Sequence, residues 1–269
     1  MIFMYIGIDP SINSTGICIQ CYNENNERNS IKFYIVHGGK LKKKELLAEN
    51  KFIDIFEYVC YDKQEIKEFK GKDNNKFELT KTQNLLNIVD NIVDIICKEE
   101  RKIHIKYPGK DIQKYITIEA NSFNSRNQSV SLIELCGLNY LIRNAFFNKP
   151  LTELIIGTPS ELKKYATSRG NADKELIELI FKTEFSDLVN SDIKTDDIAD
   201  AFFMSNFSKK YNENICKTFV QEHGLEKLVK NAVNKKKEAK RLKKDQEKLN
   251  KQLQQNVKNQ INPEIFDCI

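Results

Sequence analysis

The sequence predicts an α/β fold in which a mixed β-sheet is flanked by helices. Short apolar runs near the start of the chain are separated by polar segments, which is the pattern expected for strands. Longer segments with apolar residues at helical spacing follow, and they alternate with further short apolar runs. Such an order is typical of a layered domain with helices on a sheet.

Three strands are predicted first, in the apolar runs 2–8, 14–21 and 31–36. A polar segment over 23–29 separates the second run from the third and predicts a hairpin loop. We therefore expect these strands to pair in an antiparallel meander.

Helices and strands then alternate. In residues 80–98, leucine, isoleucine and valine recur at helical intervals. Pro159 lies near the first position of another helix, where proline is well tolerated. This order is that of the ribonuclease H-like fold, with a five-stranded mixed sheet. The further predicted elements are strands at 114–119 and 153–157 and helices near 129–147, 173–183 and 195–210.

Two segments do not fit the pattern of the predicted domain, which spans 1–224. Residues 38–80 carry many charges and weak periodicity, so we interpret them as an insertion that adds a strand or short helices. Residues 225–269 contain no glycine, and no proline before Pro263. They predict a basic, solvated helical tail in preference to a stable coiled coil, because polar residues interrupt the weak heptad.

The excess of positive over negative charge lies in the tail. Residues 225–258 hold eleven lysines and one arginine against four acids, a net charge of +8, and residues 259–269 add two acids. Since the whole chain carries +5, residues 1–224 carry −1. A polyanion would therefore be attracted by the tail without regard to its sequence.

Membrane insertion and secretion are not expected. No window approaches the roughly 18 unbroken apolar residues of a membrane helix, and the N-terminal segment lacks the basic region of a signal peptide. We expect an intracellular, cytoplasmic protein whose seven cysteines are reduced structural thiols.

Acids end two of the predicted strands. Asp9 follows the apolar run 5–8, and Glu119 follows 115–118. A carboxylate at the end of a buried strand is costly unless it is solvated, paired or bound to a cation. Two of them on neighbouring strands predict a shared acidic pocket.

A further group of acids lies near the start of the last helix of the domain. Asp197 and Asp200 are spaced i, i+3 and share a helical face. Asp196 is i, i+4 to Asp200, so it could face the same way. Asp196 and Asp197 could instead cap the helix, where such acids are common.

Converging carboxylates without basic partners repel one another, and a divalent cation removes this penalty. All-oxygen ligands suit Mg²⁺ or Mn²⁺. Two such ions about 4 Å apart can activate water and stabilise the leaving oxygen of a phosphodiester. This hypothesis requires the acids to lie within joint reach of one ion.

Four blocks of the sequence resemble the RuvC-type Holliday-junction resolvases, including their large-DNA-virus and phage relatives. The blocks are 6–11 with 14–16, then 118–119, 162–174 and 197–201. They follow one another along the chain in the same order as in the family. The resemblance implies a Mg²⁺-dependent endonuclease that resolves four-way DNA junctions by symmetric cleavage, leaving 5′-phosphate and 3′-hydroxyl ends.

The resemblance also assigns residues. It implies two Mg²⁺ ions per active site, with Mn²⁺ able to substitute, and its Asp-x-x-Asp-Ala pattern favours Asp197 over Asp196. Lys174 corresponds to a position used in catalysis as well as in DNA binding. The implied metal-binding and catalytic acids are Asp9, Glu119, Asp197 and Asp200, and the basic positions for DNA are Lys163, Lys164, Arg169 and Lys174.

The loop 121–128 resembles the one that the family places at the junction centre. Phe123 would then wedge against an unstacked base, with Arg126 beside it on the DNA. Phe123 could equally be a core anchor for the next helix. Ser168 departs from the family, which often has glycine there, and the insertion and the tail have no counterpart in compact bacterial members.

The family is also homodimeric, which implies two active sites on opposing strands of a junction. The helix 129–147 is the expected dimer element, although its apolar residues could belong to the core. Those residues are Leu132, Leu135, Leu138, Leu141 and Ile142.

Other functions are open to the same fold. One alternative is a ribonuclease H-like nuclease of other branched DNA or of RNA–DNA hybrids, and another is a non-catalytic junction-binding protein. An actin-like ATPase or sugar kinase would need further glycine-rich phosphate loops, which the sequence lacks. We therefore expect no nucleotide cofactor.

Overall fold

A computed structural model of the chain describes residues 1–40, 42, 45, 49, 51–121, 130–189 and 195–260. It divides into two compact units, Met1–His223 and Gly224–Ile269. Phe123 and Arg126, both predicted to bind DNA, lie outside the described residues.

The first unit is built on a six-stranded sheet with the strand order β4-β3-β2-β1-β5-β6. Pairing is antiparallel between β1 and β2 and between β2 and β3, which confirms the predicted meander. The remaining pairs, β3 with β4, β1 with β5 and β5 with β6, are parallel. The strands are β1 (Ile2–Asp9), β2 (Ser14–Asn23), β3 (Arg28–Gly38), β4 (Phe56–Tyr61), β5 (Ile112–Glu119) and β6 (Thr152–Gly157).

The five predicted strands are all present, and the sixth strand, β4, comes from the insertion, which was expected to add a strand or short helices. Phe56, Tyr58 and Tyr61 of this strand are buried. The first two lie two residues apart, as a strand with one face against the core requires. Since β4 runs parallel to β3, the chain must cross over between Gly38, where β3 ends, and Phe56, where β4 begins.

Helices cover both faces of the sheet. Within the described ranges, the helices of the first unit include α1 (Asn74–Lys106), α2 (Val130–Phe146), α3 (Pro159–Thr167), α4 (Lys174–Glu184), α5 (Ser186–Val189), α6 (Thr195–Glu213) and α7 (Phe219–Glu222). On one face, α1 and α2 bury an isoleucine-rich core against β1 and β5. The opposite face carries α6, which contacts β1, β2 and β5.

Local sequence sets where several helices begin. Thr158 and Glu161 form a reciprocal capping box at the start of α3, and Asp173 caps α4 through the Leu176 amide. Side chains that satisfy these otherwise unpaired amides fix the helix start. These caps fix where α3 and α4 begin after β6.

The described residues of the second unit form a long helix, α8 (Glu226–Gln260). Three of its leucines, Leu242, Leu249 and Leu253, are each at least half exposed. Within the described ranges of the chain, no helix is both long and apolar enough to cross a membrane.

Candidate active site

Two predicted acids end adjacent parallel strands. Asp9 is the last residue of β1 and Glu119 the last residue of β5, and the strands pair up to Ile8 and Ile118. Because the carboxyl ends of parallel strands meet at one edge of a sheet, the two acids lie side by side. All the strands except β2 end at this edge.

Two glycines allow α6 to approach this edge. A Cβ atom on Gly16, which pairs with Asp9, would lie 2.2 Å from the carbonyl oxygen of Asp197. A Cβ atom on Gly7 would lie 1.9 Å from the carbonyl oxygen of Ala201. No side chain fits at these distances, so glycine is needed at both positions. The close approach brings the acids on the first turns of α6 to the edge that Asp9 occupies.

Hydrogen bonds hold the later turns of α6 on the sheet. The Ser205 hydroxyl accepts a hydrogen bond of 2.7 Å from the Gln20 amide, and Ser208 donates one of 3.2 Å to the Ile6 carbonyl. Asn212 donates to the Tyr5 hydroxyl at 2.8 Å. Buried polar pairs of this kind specify one alignment of neighbouring elements. They therefore fix the position of the acids at the start of the helix.

The acids share one electrostatic environment. Burial raises the pKa of Asp9 well above its usual range, and repulsion from Asp200, Glu119 and Asp197 raises it further. Burial also raises the pKa of Asp200 to about 6, with Lys174 opposing the shift and Glu119 adding to it. The pKa of Glu119 is raised by burial as well. Mutual repulsion of this kind marks a candidate functional cluster.

Two of the predicted lysines lie beside this cluster. Lys163 lines a crevice with Glu119 and Asp200. The Lys174 ammonium lies 3.4 Å from a carboxylate oxygen of Asp196. Burial opposes the charge on Lys174, but the nearby aspartates raise its pKa overall.

The other two predicted basic residues have different surroundings. Lys164 lines a separate groove with Lys210, Tyr165 and Tyr211, because consecutive helical residues point in different directions. Arg169 is exposed just after α3, and its backbone amide donates to the Thr167 hydroxyl. A role of Lys164 and Arg169 in DNA binding stays a prediction.

Ser14 is a site residue to which the sequence assigned no role. It is buried at the start of β2, and its hydroxyl donates a hydrogen bond to a carboxylate oxygen of Asp197. Asp196 instead faces Lys174. The contact joins residues 183 positions apart, so no local pattern could have indicated it.

The donor set suits a hard divalent cation, which prefers carboxylate and hydroxyl oxygens. A cation would also relieve the repulsion that raises the pKa of Asp9. As the side chains stand, however, the described residues include no group of three or more His, Cys, Asp or Glu that could hold a metal ion. The carboxylates would have to rotate to share an ion, and the magnesium site stays a prediction.

No protein-family profile and no curated protein matches this chain. Among solved structures, RuvC of Thermus thermophilus is 14% identical, with a TM-score of 0.39 over 81% of this chain and 100% of that chain. The T. thermophilus RuvC complex with a Holliday junction substrate has 10% identity, a TM-score of 0.37 and coverages of 81% and 98%. The yeast mitochondrial Holliday junction resolvase Ydc2 has 13% identity, a TM-score of 0.36 and coverages of 85% and 83%.

The match to these resolvase structures is distant. The strand order and directions of the mixed sheet, with helices on both faces, are consistent with the predicted ribonuclease H-like fold. A shared fold does not by itself specify an activity, so function has to be inferred from the site residues.

Proposed function

We propose that this chain is a metal-dependent endonuclease that resolves four-way DNA junctions. The observation that carries the proposal is the cluster of Asp9, Glu119 and Asp200 at one sheet edge, with Lys163 and Lys174 beside it. Buried acids that repel one another destabilise the fold, and such an arrangement is typical of a site that binds a cation or transfers protons.

In this proposal, Asp9, Glu119, Asp197 and Asp200 hold two Mg²⁺ ions, with Mn²⁺ able to substitute. When bound, the ion pair supplies the activation of a water and the stabilisation of the leaving oxygen of the phosphodiester. Ser14 orients the Asp197 carboxylate through its hydrogen bond. Hydrolysis would leave 5′-phosphate and 3′-hydroxyl ends.

Lys174 is the proposed catalytic cation. Its side chain is more than half exposed, and its ammonium lies beside Asp196, at the rim of the acid cluster. A positive charge there would offset the negative charge that develops on the scissile phosphate. Lys163, in the crevice with Glu119, would bind the same strand.

A homodimer would place two such sites on opposing strands of a junction. Of the apolar residues considered for the dimer, Leu138 and Ile142 are fully buried in the core of the protein itself. The outer side of α2 instead exposes Ile133 (74%), Tyr140 (59%) and, just past its end, Phe147 (66%). These three residues recur every seventh position and so lie along one side of the helix. We propose that this stripe is the dimer face.

The test is cleavage of labelled four-way junction, flap, RNA–DNA hybrid and linear duplex with Mg²⁺, with Mn²⁺ and with EDTA. Wild type is compared with Asp9→Asn and with Asp94→Asn, which makes the same chemical change at an exposed position of α1. Symmetric, ligatable nicks in the junction alone, lost only in Asp9→Asn, would support the proposal.

The other outcomes identify the alternatives. Preferred cutting of hybrid or flap would indicate another ribonuclease H-like nuclease that uses the same acids. Junction binding without cleavage in either metal would contradict an enzymatic function and indicate a non-catalytic junction-binding protein.

A further inference from the structure

The inserted strand returns the chain to the candidate active site. Because β4 is parallel to β3, its last residue, Tyr61, pairs with Gly38 at the sheet edge where Asp9 and Glu119 lie. Residues 62 and 63 therefore leave the sheet at that same edge. In the strand order, β4 and β6 are the two outer strands, so the insertion and α3 lie on opposite sides of the acids.

Lys63 is bound to the turn that joins β1 to β2. Its ammonium donates a hydrogen bond of 2.9 Å to the side-chain oxygen of Asn13. The next residue, Ser14, donates to the carboxylate of Asp197. One short segment of chain therefore connects the Lys63 charge to a candidate active-site acid.

Packing also holds Lys63 in place. A Cβ atom on Gly38 would lie 2.8 Å from Cδ of Lys63 and 2.9 Å from the Tyr61 hydroxyl oxygen. Glycine at position 38 thus leaves the space that the lysine stem and the tyrosine ring fill. Tyr61 is itself buried, and it forms a rigid support for the lysine.

Lys63 has no carboxylate partner among the residues that the structure describes. Within the described part of the chain, no carboxylate lies within ion-pair distance of its ammonium, and its hydrogen-bond acceptor is a neutral amide. Lys174, across the site, is paired with Asp196 instead. A lysine ammonium held by a neutral acceptor can still bind an anion, and phosphate is a common partner.

We propose that Lys63 binds a backbone phosphate of the substrate DNA, on the side of the acid cluster opposite Lys163 and Lys174. This inference rests on the proposed nuclease function. The strand would cross the sheet edge from the insertion, over the acids, to α3 and α4. The insertion would then add a phosphate contact to a domain whose net charge is slightly negative.

The experiment measures binding to a labelled four-way junction by fluorescence anisotropy in EDTA, over a range of KCl concentrations. Lys63→Gln removes the charge and keeps most of the stem that packs on Gly38, and Lys63→Arg keeps the charge. Lys67→Ala is the control, since Lys67 is an exposed lysine of the same segment. Thermal unfolding of each variant verifies that the fold is retained.

We expect Lys63→Gln to weaken binding about fivefold to tenfold and to reduce the salt slope by about one, as expected for one lost phosphate contact. Lys63→Arg should bind nearly as wild type does, and Lys67→Ala should leave the slope unchanged. A Lys63→Gln variant with the affinity and slope of Lys67→Ala would overturn the inference, as would a wild type that does not bind DNA.

Failure of this inference and failure of the nuclease proposal are distinguishable, because binding is measured without cleavage. A wild type that binds the junction but never cuts it contradicts the nuclease alone. A wild type that cuts, combined with an unchanged salt slope in Lys63→Gln, contradicts the Lys63 contact alone.

Discussion

Gly16 and Asp197 are in backbone contact, and a Cβ atom on the glycine would lie 2.2 Å from the aspartate carbonyl oxygen. Two residues earlier on the same strand, Ser14 donates a hydrogen bond to the carboxylate of Asp197. β2 therefore positions both the backbone and the side chain of this acid. The glycine of the Ser-Thr-Gly motif serves helix packing in this protein.

Gly16→Ala should displace the start of α6 and lower the free energy of unfolding by about 1–3 kcal/mol, the usual cost of overpacking. Urea denaturation measures this change. Gly137→Ala should instead raise the free energy of unfolding. A Cβ atom at this position would lie 3.8 Å from Leu85, which is an ordinary contact, and glycine inside a helix costs about 1 kcal/mol relative to alanine. A Gly16→Ala protein as stable as wild type would contradict the packing role.

The raised pKa of Asp200 predicts a pH-dependent stability. With a pKa of about 6 in the fold against 3.8 normally, the folded chain binds this proton more tightly than the unfolded chain does. Protonated Asp200 therefore favours the fold at low pH, and this contribution is lost as the pH rises through about 6.

Asp200→Asn should accordingly raise the free energy of unfolding near neutral pH in EDTA, and flatten the stability profile between about pH 4 and 6. The same substitution should abolish cleavage. Thermal unfolding across this pH range measures the effect, with Asp94→Asn as the exposed control. An Asp200→Asn profile that parallels wild type would show that burial of this carboxylate has no energetic cost.

Asp196 and Asp197 should respond differently to the same change. Asp197 accepts the bond from buried Ser14, whereas Asp196 is about half exposed and paired with Lys174. We expect Asp197→Asn to lower the cleavage rate more than about 100-fold, beyond the usual effect of an outer-sphere residue. Asp196→Asn removes only an exposed ion pair, worth up to about 1 kcal/mol. Single-turnover cleavage rates of the two variants measure the difference. Equal decreases in rate would contradict the assignment of Asp197 as the metal-binding acid in preference to Asp196.

The exposed stripe on α2 should control the oligomeric state. Ile133→Asp places a charge in the proposed dimer face and should shift the protein to monomers in analytical ultracentrifugation. Each junction should then receive a single nick instead of two nicks on opposing strands. Ile105→Asp is the control, because Ile105 is also exposed (82%) but lies on α1. A dimer that survives Ile133→Asp, or a wild type that is monomeric, would count against this face.

Deleting residues 225–269 should lower DNA affinity more than the cleavage rate at saturating DNA. The tail carries the net positive charge of the chain, and it would contribute phosphate attraction without sequence preference. The truncated protein should therefore show a shallower salt dependence of binding. Equal salt slopes for the full-length and truncated chains would contradict this role.

Much of the candidate site could be predicted because its signals are local. Asp9 and Glu119 each end an apolar run, and Asp197 and Asp200 share a helical face by their spacing. Strand and helix periodicities act over a few residues, so they are visible in the sequence. The basic segment with Lys163 and Lys174 was found by resemblance, and the structure places both lysines beside the acids.

The contacts that align these parts are long-range, and only the tertiary structure decided them. The Ser14 bond to Asp197 spans 183 residues and that of Lys63 to Asn13 spans 50. The parallel pairing of β4 with β3 was likewise decided by the tertiary structure. It made the sheet six-stranded and placed Lys63 at the edge of the sheet where the candidate active site lies. Alternation along a strand indicates that it pairs but not with which neighbour, because the choice depends on packing across the whole sheet.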